Sequence, residues 1–204
     1  MSASASPGQT PGNVRLKALL ILPFVIAAAL LVFLYGRLGS GDPSNLPSVL
    51  IGKPVPEFSL PGVANLQGEG GAVPGLSSAV FKTGEVSVLN FWSSTCAPCV
   101  IEHPQLAELA QLGIPLYSID YKDKPEGARR FLTSHGNPYR AIGADESGMT
   151  AIDFGVTGTP ETFVIDRQGR VVFRYQGPIT PEVLSAKIMP AIRKAERETA
   201  APRS

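Results

Sequence analysis

Asn90-Phe91-Trp92-Ser93-Ser94-Thr95-Cys96-Ala97-Pro98-Cys99 is the stretch from which the rest of the chain can be read. A run of β-type residues, 86–92, leads into it, and a helix-compatible run, 97–112, leads out. The chain has 204 residues and only two cysteines, and both are here. Two thiols three apart at a helix start are placed for dithiol–disulfide exchange. Cys96, just ahead of the helix, is expected to be exposed. Its thiolate would face the unpaired amides and positive end of the helix, which lowers a thiol pKa below its reference of about 8.5. Cys99, one turn inside, is expected to be more buried. In that scheme Cys96 attacks a substrate disulfide, a mixed disulfide forms, and Cys99 resolves it. Pro98 fixes the first turn, and Ala97-Pro98 tunes the couple. Half of a zinc site would need more ligands, and only His103 and His135 remain, so no metal is expected. A purely structural disulfide closing so small a loop would stabilise little.

Outward from this stretch, 86–91 is nearly continuous in apolar residues, as a central strand covered on both faces would be. The helix after the cysteines carries Leu106, Leu109, Ala110 and Leu112 at helical spacing. A second buried-type strand is expected over 114–119, and a helix over 125–134 with Pro125 at a permitted first-turn position. A short strand over 139–142, a short helix over 148–154 and a turn over 155–160 follow. Strands 161–166 and 170–175 are joined through Arg167-Gln168-Gly169, a hairpin signal. A last helix, 180–194, should be ended or kinked early by Pro190. Upstream, 54–60 suggests a short edge strand, where proline is tolerated, and 65–75 is a Gly-rich loop. Strand–helix–strand–helix, then a hairpin and a last helix, gives an α/β fold: a mixed central sheet flanked by helices.

Net charge is +1 and charged residues are 17 %, which gives no electrostatic reason to expect nucleic acid as a partner. The 44 % of hydrophobic residues is unevenly spread. Residues 18–35 carry no charge and would span roughly 27 Å as a helix, close to the hydrocarbon core of a bilayer. Arg15 and Lys17 precede the run and Arg37 follows it, which favours a cytoplasmic N-terminus. A cleaved signal peptide is the competing reading. The run is longer than a usual signal core, and Ala27-Ala28-Ala29 lies within it rather than after it, so an uncleaved anchor is favoured. Either reading exports the cysteines to an oxidising compartment. Residues 36–52, rich in Gly, Ser, Pro and Asn, read as a linker that could reach about 55 Å when extended.

Asn90-Phe91-Trp92, Cys96-Ala97-Pro98-Cys99 and Thr159-Pro160 resemble the thioredoxin superfamily. Two longer stretches resemble the CcmG/DsbE family within it. One is Asp120-Tyr121-Lys122-Asp123 with Gly136-Asn137-Pro138-Tyr139. The other is Gly155-Val156-Thr157-Gly158-Thr159-Pro160-Glu161-Thr162-Phe163-Val164-Ile165-Asp166. The resemblance covers roughly 49–189 plus the N-terminal apolar run. It implies a thioredoxin-like domain over 53–194 in the periplasm, held by one transmembrane helix, 18–35, in the bacterial inner membrane. Residues 1–17 would be a short cytoplasmic tail, 36–52 the flexible linker and 195–204 a disordered tail. The implied activity is protein disulfide reduction in cytochrome c biogenesis, with the Cys96–Cys99 disulfide as the redox group and no other cofactor. The client would be the haem-attachment cysteines of apocytochrome c, reached directly or through a CcmH-like thiol protein. A DsbD- or CcdA-like membrane protein would return the electrons, and the domain is expected to be monomeric.

The resemblance also assigns roles residue by residue. Thr159-Pro160 matches the cis-proline loop that faces the dithiol and pairs with bound peptide through residue 159. Glu102 matches an acidic residue three after the second cysteine, where a carboxyl could relay the proton of Cys99. Glu161, directly after the proline, would set the acidity of the groove or be a surface charge. Trp92 either packs in the core or contacts substrate. Asn90 stands where ordinary thioredoxins have a buried Asp, so general-base work falls to Glu102. Thr95 precedes Cys96 where most relatives have Trp, and Ala97 is a variant of the usual dipeptide. Two rival functions follow from the same residues: a broader TlpA- or ResA-like reductase for other clients, and an apocytochrome-binding module without essential redox turnover.

Overall fold

The computed structural model describes the backbone of residues 12–38, 49–68 and 70–200, and the side chains of 20–36, 49–68 and 70–198. Most of the expected linker (39–48), residues 1–11 of the expected cytoplasmic tail and residues 201–204 lie outside the described residues. The chain forms two units, an N-terminal helix and a folded domain. The helix, α1 (Gly12–Leu38), runs through Pro23 without a break. Its described side chains, 20–36, are all exposed, including Leu20, Phe24, Phe33 and Tyr35. Among the described residues no helix is long and apolar enough to cross a membrane.

The domain begins earlier than residue 53. Leu50 packs against its core, and the Gly52 amide donates to the Val171 carbonyl at 2.8 Å. Four two-residue strands come first: β1 (Ser59–Leu60), β2 (Gln67–Gly68), β3 (Gly71–Ala72) and β4 (Leu76–Ser77). β1 pairs with β4 and β2 with β3, both antiparallel. The expected edge strand over 54–60 thus shrinks to its last two residues. Pro54 and Pro56 have no amide hydrogen to give a ladder, and Pro54 makes only an isolated bridge to Arg170. The Gly-rich stretch expected as a loop contains a small hairpin, whose returning strand opens at Gly71 with φ 111°.

The main sheet has five strands. β5 (Ser87–Trp92) lies at its centre, between β6 (Leu116–Tyr121), which is parallel to it, and β8 (Glu161–Ile165), which is antiparallel. β7 (Ala141–Asp145) closes one edge beside β6, and β9 (Val171–Gln176) the other beside β8. All six residues of β5 are buried, as a strand covered on both faces requires. Its side chains alternate between two cores. Val88 and Trp92 face the core built with α2 (Ala97–Gln111), α3 (Pro125–His135) and the C-terminal helices. Leu89 and Phe91 face the other, with Val55, Leu76, Phe81 and, from α4 (Met149–Asp153) and its end, Ala151 and Phe154. The result is a thioredoxin-like α/β fold with a mixed sheet.

Two expectations fail locally. The short strand expected at 139–142 is β7, two residues later, and Tyr139 instead packs into the core. The last helix does not end at Pro190. It starts as α5 (Pro181–Val183), passes through a π turn (Leu184–Ile188) and continues as α6 (Met189–Ala200). In the π turn the Met189 amide reaches back to the Leu184 carbonyl, so Pro190 meets the chain as the second residue of a fresh α-helix. A missing N–H costs little there. Ala195, expected to open a disordered tail, is a buried residue of α6.

Candidate active site

β5 ends at Trp92, and the turn 93–96 feeds straight into α2. The Cys96 amide donates to the Ser93 carbonyl at 3.1 Å, and the Ser93 and Thr95 hydroxyls lie 3.1 Å apart, so the turn is closed on itself. Cys96 is the N-cap of α2, and its Sγ accepts the Cys99 amide at 3.2 Å. Once the disulfide opens, that amide and the positive helix end favour the Cys96 thiolate. In the structure Cys96 and Cys99 are joined in a disulfide. Cys96 is half-buried and Cys99 only 2 % exposed, so the outer sulfur is the one an incoming thiol or disulfide can reach. Ala97 and Pro98, at the first turn, are exposed, as is Thr95. With Val100 and Ile101, also exposed, they give the disulfide an apolar rim.

Glu102 lies one turn beyond Cys99 on the same buried face of α2, with Leu106 and Leu109 further along it, and is fully buried. Its two oxygens accept from the Asn90 side-chain amide at 2.8 Å and from the Ile179 backbone amide at 3.1 Å. These bonds favour the anion, but burial outweighs them and pushes the carboxyl up to about 8. A carboxyl that keeps its proton to about pH 8 therefore stands one helical turn from Cys99. Asn90 is the hub beneath the dithiol. On the same face as Trp92, it also donates to the Thr162 hydroxyl at 3.1 Å and accepts from the Tyr139 hydroxyl at 3.1 Å. Burial first, then the Glu102 and Asp120 charges, hold the Tyr139 hydroxyl well above its usual range, so it stays a donor. The residues 90–102 did not point to Tyr139 or Ile179. Both come from distant loops.

The raised carboxyl sets the sign of a pH effect. Glu102 shifts from 4.5 to about 8 on folding, so its stabilising contribution is complete below the lower value and is lost as pH rises through the upper one. Asp120, raised from 3.8 to about 8 chiefly by burial, acts in the same direction. Each contributes a slope approaching about 1.4 kcal/mol per pH unit between those limits. In chemical denaturation across that window, Glu102→Gln is expected to lose about half of the fall in stability. An unchanged slope would mean that Glu102 ionises normally.

Thr159 and Pro160 reach the same end of the sheet. β8 runs antiparallel to β5 with Glu161 opposite Phe91. One more step of that register brings Pro160 level with Trp92, at the start of the active-site turn. The Thr159–Pro160 peptide bond is cis. Pro160 is buried and Thr159 half-buried. The Pro160 carbonyl is taken by the Gly177 amide at 2.9 Å, whereas among the described residues Thr159 makes no backbone hydrogen bond. That leaves an open backbone pair for an extended peptide.

Two expected substrate contacts are corrected. Trp92 is 1 % exposed. Its indole N–H donates to the Ser118 hydroxyl at 3.0 Å, and its ring packs on Phe131 and Tyr139 at 4.7 and 6.2 Å. It is part of the core. Glu161 is neither a groove carboxylate nor a surface charge, being 1 % exposed. Alternation along β8 explains why: Thr162 faces Asn90, so Glu161 must face the opposite core. There Arg174 meets it with bonds of 2.8 and 3.1 Å, and Oε1 accepts the Thr157 amide at 2.9 Å. Arg174 also donates to the Gly155 carbonyl at 2.8 Å. The pair therefore braces the loop 155–160 from behind. The hairpin signal held the clue, because pairing across it sets Glu161 opposite Gln176 and Phe163 opposite Arg174.

Among the described residues no three His, Cys, Asp or Glu side chains gather where they could hold a metal ion. His103 is buried, with Nε2 at 3.0 Å from the Gly136 carbonyl.

Comparison with known proteins agrees with this geometry. Residues 50–188 match the Redoxin family. The chain is 38 % identical over 176 residues to the thiol:disulfide interchange protein HelX of Rhodobacter capsulatus, covering 86 % of this chain and 96 % of that one. It is 39 % identical over 183 residues to the thiol:disulfide interchange protein DsbE of Escherichia coli, covering 89 % and 95 %. A crystal structure described as a DsbE from Chlorobium tepidum superposes with a TM-score of 0.52 at 28 % identity, over 68 % of this chain and 95 % of that one. A DsbF homologue from Corynebacterium diphtheriae, at 23 % identity and a TM-score of 0.58, covers 76 % and 96 % and shares the fold.

Proposed function

The chain belongs to the redoxin family and, within it, to the thiol:disulfide interchange proteins of the DsbE type; on that premise we propose that it is a membrane-anchored periplasmic reductant in cytochrome c biogenesis. The observation that carries the exchange chemistry is the Cys96–Cys99 disulfide at the start of α2, with Glu102 buried one turn below. In the reduced protein the Cys96 thiolate attacks a client disulfide. One client sulfur leaves as a thiolate and takes a proton from solvent. Glu102, as the carboxylate, accepts the proton of Cys99, and the Cys99 thiolate then attacks Cys96. The second client sulfur leaves, and the pair is returned to the disulfide. Two electrons pass to the client, so each cycle needs an external dithiol to reopen Cys96–Cys99.

The client we propose is the haem-attachment Cys-x-x-Cys-His of apocytochrome c, or a CcmH-like thiol protein that serves it, with a DsbD- or CcdA-like membrane protein as the electron donor. The resemblance of residues 155–166 to this branch supports the assignment, as does the open backbone of Thr159 beside the dithiol. The disulfide itself is the only redox group required. The charge-free run 18–35 supports a single anchor that leaves the domain in the periplasm.

In bacteria lacking the chain, native protein is expected to restore haem attachment, and Cys96→Ser to restore it only when a small thiol is supplied. If Cys96→Ser restores haem attachment without added thiol, the reductant reading is wrong and a peptide-holding role replaces it.

A further inference from the structure

A second buried carboxyl stands beside the active-site turn. Asp120 is the fifth residue of β6 and pairs in register with Trp92, the last residue before the turn. It is 3 % exposed, and its Oδ1 has no hydrogen-bond partner. The strand ends directly after it. Lys122 takes a left-handed conformation, φ 49°, with its amide on the Asp145 carbonyl. This reversal brings the Asp123 carboxyl back within interaction reach of Asp120. Asp123 then makes the contact that matters for the turn: its Oδ2 accepts the Ser94 amide at 2.6 Å, while Oδ1 accepts the Lys124 amide at 2.7 Å.

The neighbouring helix is shaped to admit this latch. Gly127, in the first turn of α3, lies against both partners. A Cβ there would collide with the Ser94 hydroxyl and sit 2.9 Å from Asp123 Oδ1. The other bonds of the turn, between Ser93, Thr95 and Cys96, are internal to it. The Ser94–Asp123 bond is thus the one that ties the turn to the next strand-to-helix connection.

We propose that Asp120 is a positioning residue for thiol exchange: held as the acid, it donates its proton to Asp123, and Asp123 fixes the Ser94 amide and with it the turn that delivers Cys96. The inference rests only on the thiol-exchange activity and is independent of the client. Two carboxyls can lie in contact when one keeps its proton. The titratable groups facing Asp120 are Asp123, Glu146 after β7, and Tyr139, across which lies Glu102. Among the described residues no cation bonds to Asp120. Loss of its proton to solvent therefore sets two carboxylates against each other, with Glu146 adding to the repulsion. Asp123 must then turn away and release Ser94. Burial and these neighbours place that loss at about pH 8.

The test follows the Ser94 amide by nitrogen-15 NMR in the full chain, disulfide intact, in detergent micelles. Its resonance is expected to titrate with a midpoint near 8 in the native protein and equally in Glu102→Gln. Asp120→Asn, which can still donate to Asp123, should abolish the titration and hold Ser94 at its low-pH position. Asp120→Ala, with neither a proton to donate nor a charge to repel Asp123, should likewise leave the Ser94 resonance without a titration near 8. Asp123→Ala should speed solvent exchange of that amide by about tenfold or more. A flat Ser94 resonance in native protein, a titration surviving in Asp120→Asn, or one lost in Glu102→Gln would overturn the proposal.

Discussion

Cys99→Ala is expected to turn the protein into a single-turnover trap. Cys96, half-buried at the N-cap of α2, keeps everything its attack requires: an accessible sulfur, the positive helix end and the residue-99 amide. What disappears is the only other sulfhydryl in the chain. The mixed disulfide with a client therefore has no intramolecular exit, and multiple-turnover reduction should fall to the uncatalysed background. Because Cys99 is 2 % exposed, a client sulfur cannot readily use it as the point of attack. Cys96→Ser should accordingly form no adduct at all, although Cys99 remains. Non-reducing electrophoresis with mass analysis of the bound peptide reads both results and identifies the client. Comparable adducts on Cys99 in the Cys96→Ser variant would reverse the assigned order of attack.

The second large effect is structural. Glu161→Ala is expected to destabilise the domain by about 3–5 kcal/mol, the usual cost of leaving one member of a buried ion pair unmatched. The Arg174 side chain is 8 % exposed, so its guanidinium has little water to turn to. The Thr157 amide and the Gln176 side chain lose an acceptor as well. Glu161→Gln should cost less, because it keeps an acceptor for Thr157 while leaving the positive charge unanswered. Replacing both charges together, as Glu161→Leu with Arg174→Met, should recover much of the loss, since the pair's burial is itself expensive. Urea titration with an unchanged m-value would record these differences. A loss below about 1 kcal/mol for Glu161→Ala would mean that the pair behaves as an exposed one. The same variant should bind extended peptide more weakly, because the loop carrying Thr159 and Pro160 loses its brace.

What the sequence disclosed and what it concealed divide by range. Strand, turn, dithiol and helix follow one another within 86–112, so periodicity and helix-start chemistry were enough to place Cys96 outside and Cys99 inside. The mixed sheet could be anticipated because a strand–helix–strand unit followed by a hairpin leaves few topologies. Glu102 was found through the family resemblance, and the helix converts its spacing from Cys99 into proximity. Glu161 was misjudged because its environment depends on which face of β8 it takes, and that depends on Thr162 meeting Asn90, 72 residues away. Trp92 is similar: at the end of a strand it could face solvent or core, and the aromatic rings that decide the matter come from 131 and 139. Pro190 misled for another reason. Helix-breaking rules assume a continuous α ladder, and the π turn ahead of it offers a new start. Asp120 lay just past the apolar run expected as a strand, where one more residue of β6 carries it under the active-site turn.

Trp92 is the single tryptophan of the chain. It is sealed from water and stacked on Tyr139, whose hydroxyl meets the amide that holds Glu102. The domain's near-ultraviolet emission therefore arises at one known place, the layer between the sheet and the dithiol helix. Opening of the disulfide is expected to shift the emission of that one indole, which a redox titration followed by tryptophan fluorescence would record; an unchanged spectrum would show that the dithiol and the aromatic layer are uncoupled.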